Sequence, residues 1–152
     1  MDDDEPVPLD HSEHRRWMAT AERSLDVAED LRRLDRHEAA CFHAEQAAQQ
    51  AMKAVLRGIG LSSVGHDLVD LGRRLADGVG GVLPDRTQRA LQLLSRYYIP
   101  TRYPDAWTAG TPADHYGRED SEAALEDGRV VLGTARSIWA QLAPGGAGGD
   151  GD

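Results

Sequence analysis

Between residues 40 and 56 the chain reads ACFHAEQAAQQAMKAVL, and Ala40, Ala44, Ala47, Ala51 and Val55 recur at steps of three and four. That spacing lines them up on one face of an α-helix. So small a face lets a neighbouring helix approach closely, with Phe42, Met52 and Leu56 flanking it. Four further segments carry their own apolar stripe. A first helix is predicted from Ser12 to Leu34, with Trp17, Ala21, Leu25, Ala28 and Leu31 inward. Asp35 is placed to cap the alanine-rich second helix, with Glu38 three positions on in the capping-box place. That helix is expected to end near Arg57, stopped by Gly58 and Gly60. A third is predicted from His66 to Ala76, with Leu68, Leu71 and Leu75 inward. A fourth is capped by Asp85 and continues through Leu91, Leu94 and Tyr98 to Pro100. A fifth runs from Asp120 to Leu142. No segment alternates apolar and polar residues long enough to make a strand, so the fold class is all-α: an up-and-down bundle of four to five helices.

With 152 residues and a hydrophobic fraction of 40%, the chain suits one domain with one core. Residues 1–11 read as an acidic mobile arm, 12–143 as the bundle and 144–152, rich in Gly and Asp, as a disordered tail. The net charge of −9 argues against broad, nonspecific nucleic-acid binding but leaves room for a local arginine pocket. Lys53 is the one lysine, so arginine carries nearly all positive charge. Cys41 is the one cysteine, which excludes an internal disulfide and a cysteine zinc cluster. His37 and Cys41 share a helical turn but lack a third ligand, so no metal site is expected, and no cofactor. No apolar run approaches membrane-spanning length and the N-terminus lacks a signal core, so a soluble, cytoplasmic protein without membrane association is expected.

Three stretches taken together resemble a known family: ACFHAEQAAQQAMKAVL at 40–56, GHDLVDL at 65–71 and RYYIPTRYPDAW at 96–107. In this order and spacing the chain resembles the HEPN domain (higher eukaryotes and prokaryotes nucleotide-binding) over about residues 12–142. The resemblance implies a four- or five-helix bundle that forms a homodimer. It also implies a nucleotide or RNA ligand and a minimal nucleotidyltransferase as partner protein, some such pairs acting as toxin and antitoxin. Many members are metal-independent ribonucleases with an Arg, a polar residue after it and a His with four to six residues between it and the Arg. Here the next histidine after Arg102 is His115, so whether this chain cleaves RNA stays open. Arg36–His43 and Arg32–His37 have suitable spacings, but early in the chain, inside the scaffold stretch.

The candidate residues each carry two readings. Arg102 sits among Tyr98, Tyr103, Pro104 and Trp107, which suits phosphate contact with base stacking. With Asp105 it could instead pin the loop of residues 100–119. His43, at the rim of the second helix, is the candidate proton-transfer group, or a satisfied rim residue. His66 could face the Arg102 loop or serve structure alone. Lys53 could meet a phosphate or snorkel. Arg102 and His43 are thus the candidate catalytic pair, and Arg102, Tyr103, Asp105, Tyr98, Lys53 and His66 the candidate nucleotide- or RNA-binding set. His115–Tyr116 lacks a usable Arg-to-His spacing and is the weaker alternative. A non-catalytic protein-interaction module is the competing function.

Overall fold

A computed structural model describes residues 8–145, so the expectations for residues 1–7 and 146–152 lie outside the described residues. It contains five α-helices: α1 His11–Arg33, α2 His37–Gly58, α3 Leu68–Val79, α4 Asp85–Leu94 and α5 Arg118–Leu142. No strand occurs among the described residues, so the all-α bundle expected from the stripes is what forms. No helix there is long and apolar enough to cross a membrane.

The centre of the bundle is α2, against which α1, α3, α4 and α5 all pack. Thirteen of its 22 residues are buried, so it is enclosed nearly all round rather than along one stripe. Alanine makes this enclosure feasible, because four neighbours must reach its backbone. Met52, Val55 and Leu56 of α2 meet large side chains from outside it: Leu68, Leu71 and Leu75 of α3, Leu94 of α4, and Leu125 and Leu132 of α5 are all buried. Each such burial contributes about 1.5–3 kcal/mol.

Helix directions follow from end-to-end contacts. The Asp10 N–H at the start of α1 donates to the Gly58 carbonyl at the end of α2, at 2.7 Å, so these two run antiparallel. His37 Nδ1 lies 2.8 Å from Ser121 Oγ, and Gly58 meets the Trp139 ring, so α2 and α5 run side by side in one direction. Gly58 therefore lies inside the last turn of α2, where its missing Cβ admits Trp139. The turn itself is stopped by Gly60 at φ 79.

Several local expectations are corrected, among them Asp85, which opens α4 rather than capping it: the N-cap is Pro84, with no side-chain cap. Asp35 does not cap α2: it adopts φ 57, and α2 starts after Arg36 with no side-chain cap. Only three residues join α1 to α2, and reversing the chain so tightly needs a left-handed residue, which Asp tolerates. Helix α4 ends at Leu94 and unwinds into a 3-10 turn at Ser95–Tyr97, short of Pro100. The proline disfavours helical backbone at Ile99 before it. Finally, α5 begins at Arg118, with the Gly117 N–H donating to the Asp120 carboxylate at 2.8 Å. The third helix starts slightly later than expected for His66, after Asp67, whose carboxylate accepts from the N–H groups of Val69 and Asp70.

The connection between α4 and α5 is ordered by its own aromatic residues. Trp107 stacks on His115 with ring centres 3.9 Å apart and donates from Nε1 to the Pro100 carbonyl at 2.8 Å. Tyr116 meets Trp107 and Tyr97 edge-on. Thr101 is buried and donates to the Tyr97 carbonyl. Short 3-10 turns at Pro104–Ala106 and Pro112–His115 complete the segment.

Candidate functional site

The Arg102 segment is packed on the bundle. Its guanidinium lies over three rings, 4.6 Å from the centre of Phe42 on α2, 4.6 Å from Tyr98 and 5.1 Å from Tyr103. Nε donates to the Tyr98 carbonyl at 2.9 Å. Among the described residues no carboxylate lies within 4.0 Å of it. The Arg102–Asp105 pair that could have pinned the loop does not form; Asp105 stands exposed in its 3-10 turn. The rings hold the cation in place without neutralising it.

A polar chain runs beside this cation. Glu45, fully buried in the alanine-rich helix, accepts from Gln46 Nε2 at 2.7 Å and from Gln49 Nε2. Gln49 Oε1 faces His66 Nδ1 at 3.2 Å. The His66 ring stacks on Tyr98, 5.3 Å between centres. Tyr98 thus joins Arg102 and His66. Burial pushes the Glu45 carboxyl above its usual range, opposed by the amides of Gln49 and Gln46 and by the charges of Arg102 and Lys53. Burial also draws Lys53 below the usual lysine range; Arg57 and Arg74 add to this and Glu45 opposes it.

His43 joins more loosely. Its ring meets Phe42 edge-on at 5.5 Å, and burial holds it below the ordinary histidine range. It therefore adjoins the ring beneath Arg102. Arg36 and His43 are seven positions apart, about 10 Å along the helix. Arg32 of the other spaced pair is held by Glu29 at 2.7 Å. His115 is stacked under Trp107 with Nε2 at the Ala109 carbonyl, 2.8 Å away. Its neighbour Tyr116 is pushed up to about 12, chiefly by burial. Cys41 is buried and likewise pushed up to about 12, so its thiol is a packing group. Among the described residues no group of three or more metal-ligating side chains comes together.

His66 and Tyr98 also form one wall of an open groove of about 580 Å³, shared with Asp67, Val69, Arg96 and Ile99. The sequence identified Arg102, Tyr98, Tyr103, His66, Lys53, Asp105 and His43, and the fold links the first four through Arg102 and Tyr98. It missed Phe42, Glu45, Gln46 and Gln49. A signal for two of them was present: a carboxylate and an amide four apart interrupt an otherwise alanine-rich buried run.

Comparisons with known proteins bear on the family and the fold. The family model described as the HEPN domain matches residues 14–138. The crystal structure of TT1696 from Thermus thermophilus is 36% identical with a TM-score of 0.78, covering 82% of this chain and 97% of that one. ST0689, described as an archaeal HEPN homologue, is 26% identical with a TM-score of 0.69, covering 82% and 95%. A HEPN domain protein of Thermotoga maritima, 21% identical over 83% and 98% with a TM-score of 0.66, shares the fold. No curated protein matches the chain. A family match over most of the bundle, joined to an all-helical fold shared with HEPN homologues, settles the assignment: the chain belongs to the HEPN domain family.

Proposed function

We propose that this HEPN protein binds a nucleotide or an RNA phosphate on the face of α2 that lies beneath Arg102. The observation that carries the reading is an arginine stacked among three rings and, among the described residues, left without a carboxylate partner. Such a cation is organised for a phosphate, and exposed Tyr103 beside it offers a surface for base stacking. Lys53 is a second cation acting on the same buried Glu45. The family resemblance adds a homodimer and a nucleotidyltransferase partner in a toxin–antitoxin-like pair, and the cytoplasmic location expected from the sequence completes the reading. For strand cleavage, Arg102 would steady charge developing on the phosphate, and His43, whose pKa burial lowers, is the proton-transfer candidate.

Short oligouridylate is titrated into the full chain by calorimetry, beside Arg102→Ala. Binding by the wild type with a loss of about tenfold in the variant is expected, the scale of one charge-assisted hydrogen bond. Equal binding by both would overturn the reading, as would no binding at all. Mixed RNA incubated with the same proteins reports cleavage. The second reading, a protein-interaction module, draws on an apolar groove between the α3–α4 turn and α5, lined by Val79, Val82, Leu83, Val130 and Ile138. Absence of nucleotide binding with retained dimerisation would favour it.

A further inference from the structure

The chain Glu45–Gln49–His66 has a direction that hydrogen-bond chemistry fixes. Both oxygens of Glu45 face amide nitrogens, Gln46 Nε2 at 2.7 Å and Gln49 Nε2. In its ionised form, which the two amides and the charges of Arg102 and Lys53 favour against burial, the Glu45 carboxylate accepts only, so the NH2 end of Gln49 faces it. That turns the Gln49 carbonyl oxygen towards His66 Nδ1, 3.2 Å away. A carbonyl oxygen also accepts only, so Nδ1 carries the proton. In the neutral ring Nε2 is then a bare lone pair. Nε2 has no hydrogen-bond partner among the described residues, and His66 is exposed on the groove wall. The stack on Tyr98, 16° from coplanar, fixes the ring's attitude. Arg102 packs on that same tyrosine.

We infer that Glu45 and Gln49 are positioning residues that set the His66 tautomer, so that His66 Nε2 accepts a hydrogen bond from a ribose 2′-hydroxyl beside the phosphate held by Arg102. The site then selects RNA over DNA. Arginine supplies donors alone and cannot tell the two sugars apart; an acceptor fixed next to it can, because the 2′-hydroxyl is a donor that deoxyribose lacks. This deepens the nucleotide reading above and rests on it. It also accounts for a carboxylate at the centre of an alanine-rich helix. Without Glu45 the Gln49 amide would present its oxygen or its nitrogen to His66 with little preference, and the ring would follow.

Two measurements at about pH 8, above the ordinary histidine range, test the inference. The first is the ¹⁵N NMR signature of His66 in the unmodified full chain, which needs no variant to fold. It is expected to show the Nδ1–H tautomer; an Nε2–H tautomer would overturn the relay. The second compares calorimetric binding of a triuridylate with its deoxyuridine counterpart. The wild type is expected to bind the ribo form roughly 3- to 10-fold more tightly, the range of one hydrogen bond. His66→Ala should abolish the preference and Glu45→Gln should reduce it, with thermal melts confirming that both variants fold. Equal binding of the two trinucleotides by the wild type would overturn the relay and leave the nucleotide reading standing. Failure to bind either would overturn the nucleotide reading, and this ligand assignment with it.

Discussion

His14 shows how one ring in a packed site responds to its surroundings. It stacks on Trp139 with centres 3.8 Å apart, and its Nε2 is buried without a hydrogen-bond partner among the described residues. Burial, joined by the charges of His11 and Arg15, lowers its pKa from 6.5 to about 4. Between those values the unfolded chain takes up a proton that the folded chain refuses. The contribution to stability is therefore full above pH 6.5 and is lost as pH falls towards 4. Thermal melts of the wild type should decline over that interval, and His14→Phe, which keeps a ring but no titrating nitrogen, should flatten the decline. An unchanged slope would contradict the stacking assignment. At this scale the sequence was partly legible. Arg102, Tyr98 and His66 stood out because their residue types suit phosphate, stacking and proton chemistry. Glu45 and Gln49 acquire meaning only when the segment before α3 lays His66 against α2, a contact 17 residues apart that no local pattern encodes.

Elements were more legible than their ends. Apolar periodicity is repeated every turn, so each helix announces itself many times over. A helix terminus rests on one or two residues and competes with the geometry of the connection. Asp35 with Glu38 reads as a capping box, yet the three-residue link to α2 demands a left-handed residue and takes Asp35 for it. Gly58 and Gly60 read alike in sequence, and only packing separates them. A Cβ added at Gly58 would collide with Cζ3 and Cη2 of Trp139 and press on His14. Gly58→Ala is expected to destabilise the bundle by about 1–3 kcal/mol, the scale of core overpacking, measured as a lower denaturant midpoint. A midpoint equal to that of the wild type would show that Trp139 moves aside freely.

Over the whole molecule, charge is unevenly placed. Six of the 26 acidic residues and none of the 17 basic ones fall in residues 1–7 and 146–152, so the described body holds 20 against 17 and carries −3 of the total −9. The acidity that argues against nucleic-acid binding belongs mostly to the ends of the chain. Replacing Asp2→Asn, Asp3→Asn and Asp4→Asn together should strengthen oligouridylate binding at low salt, with the gain fading above about 0.1 M as screening shortens to roughly 10 Å. A gain that persisted at high salt would point to a contact instead. The bundle itself was foreseeable from five stripes. That α2 would be enclosed on nearly every side, and would carry the polar chain at its middle, followed from how its neighbours close around it. Where a ligand sits on the bundle decides between the two readings. An NMR titration of ¹⁵N-labelled full chain with oligouridylate maps that directly. Shifts concentrated at Arg102 Nε, His66 and the amides of Phe42 and Tyr98 are the predicted result. Shifts gathered around Val82 and Ile138, with those groups unmoved, would contradict it.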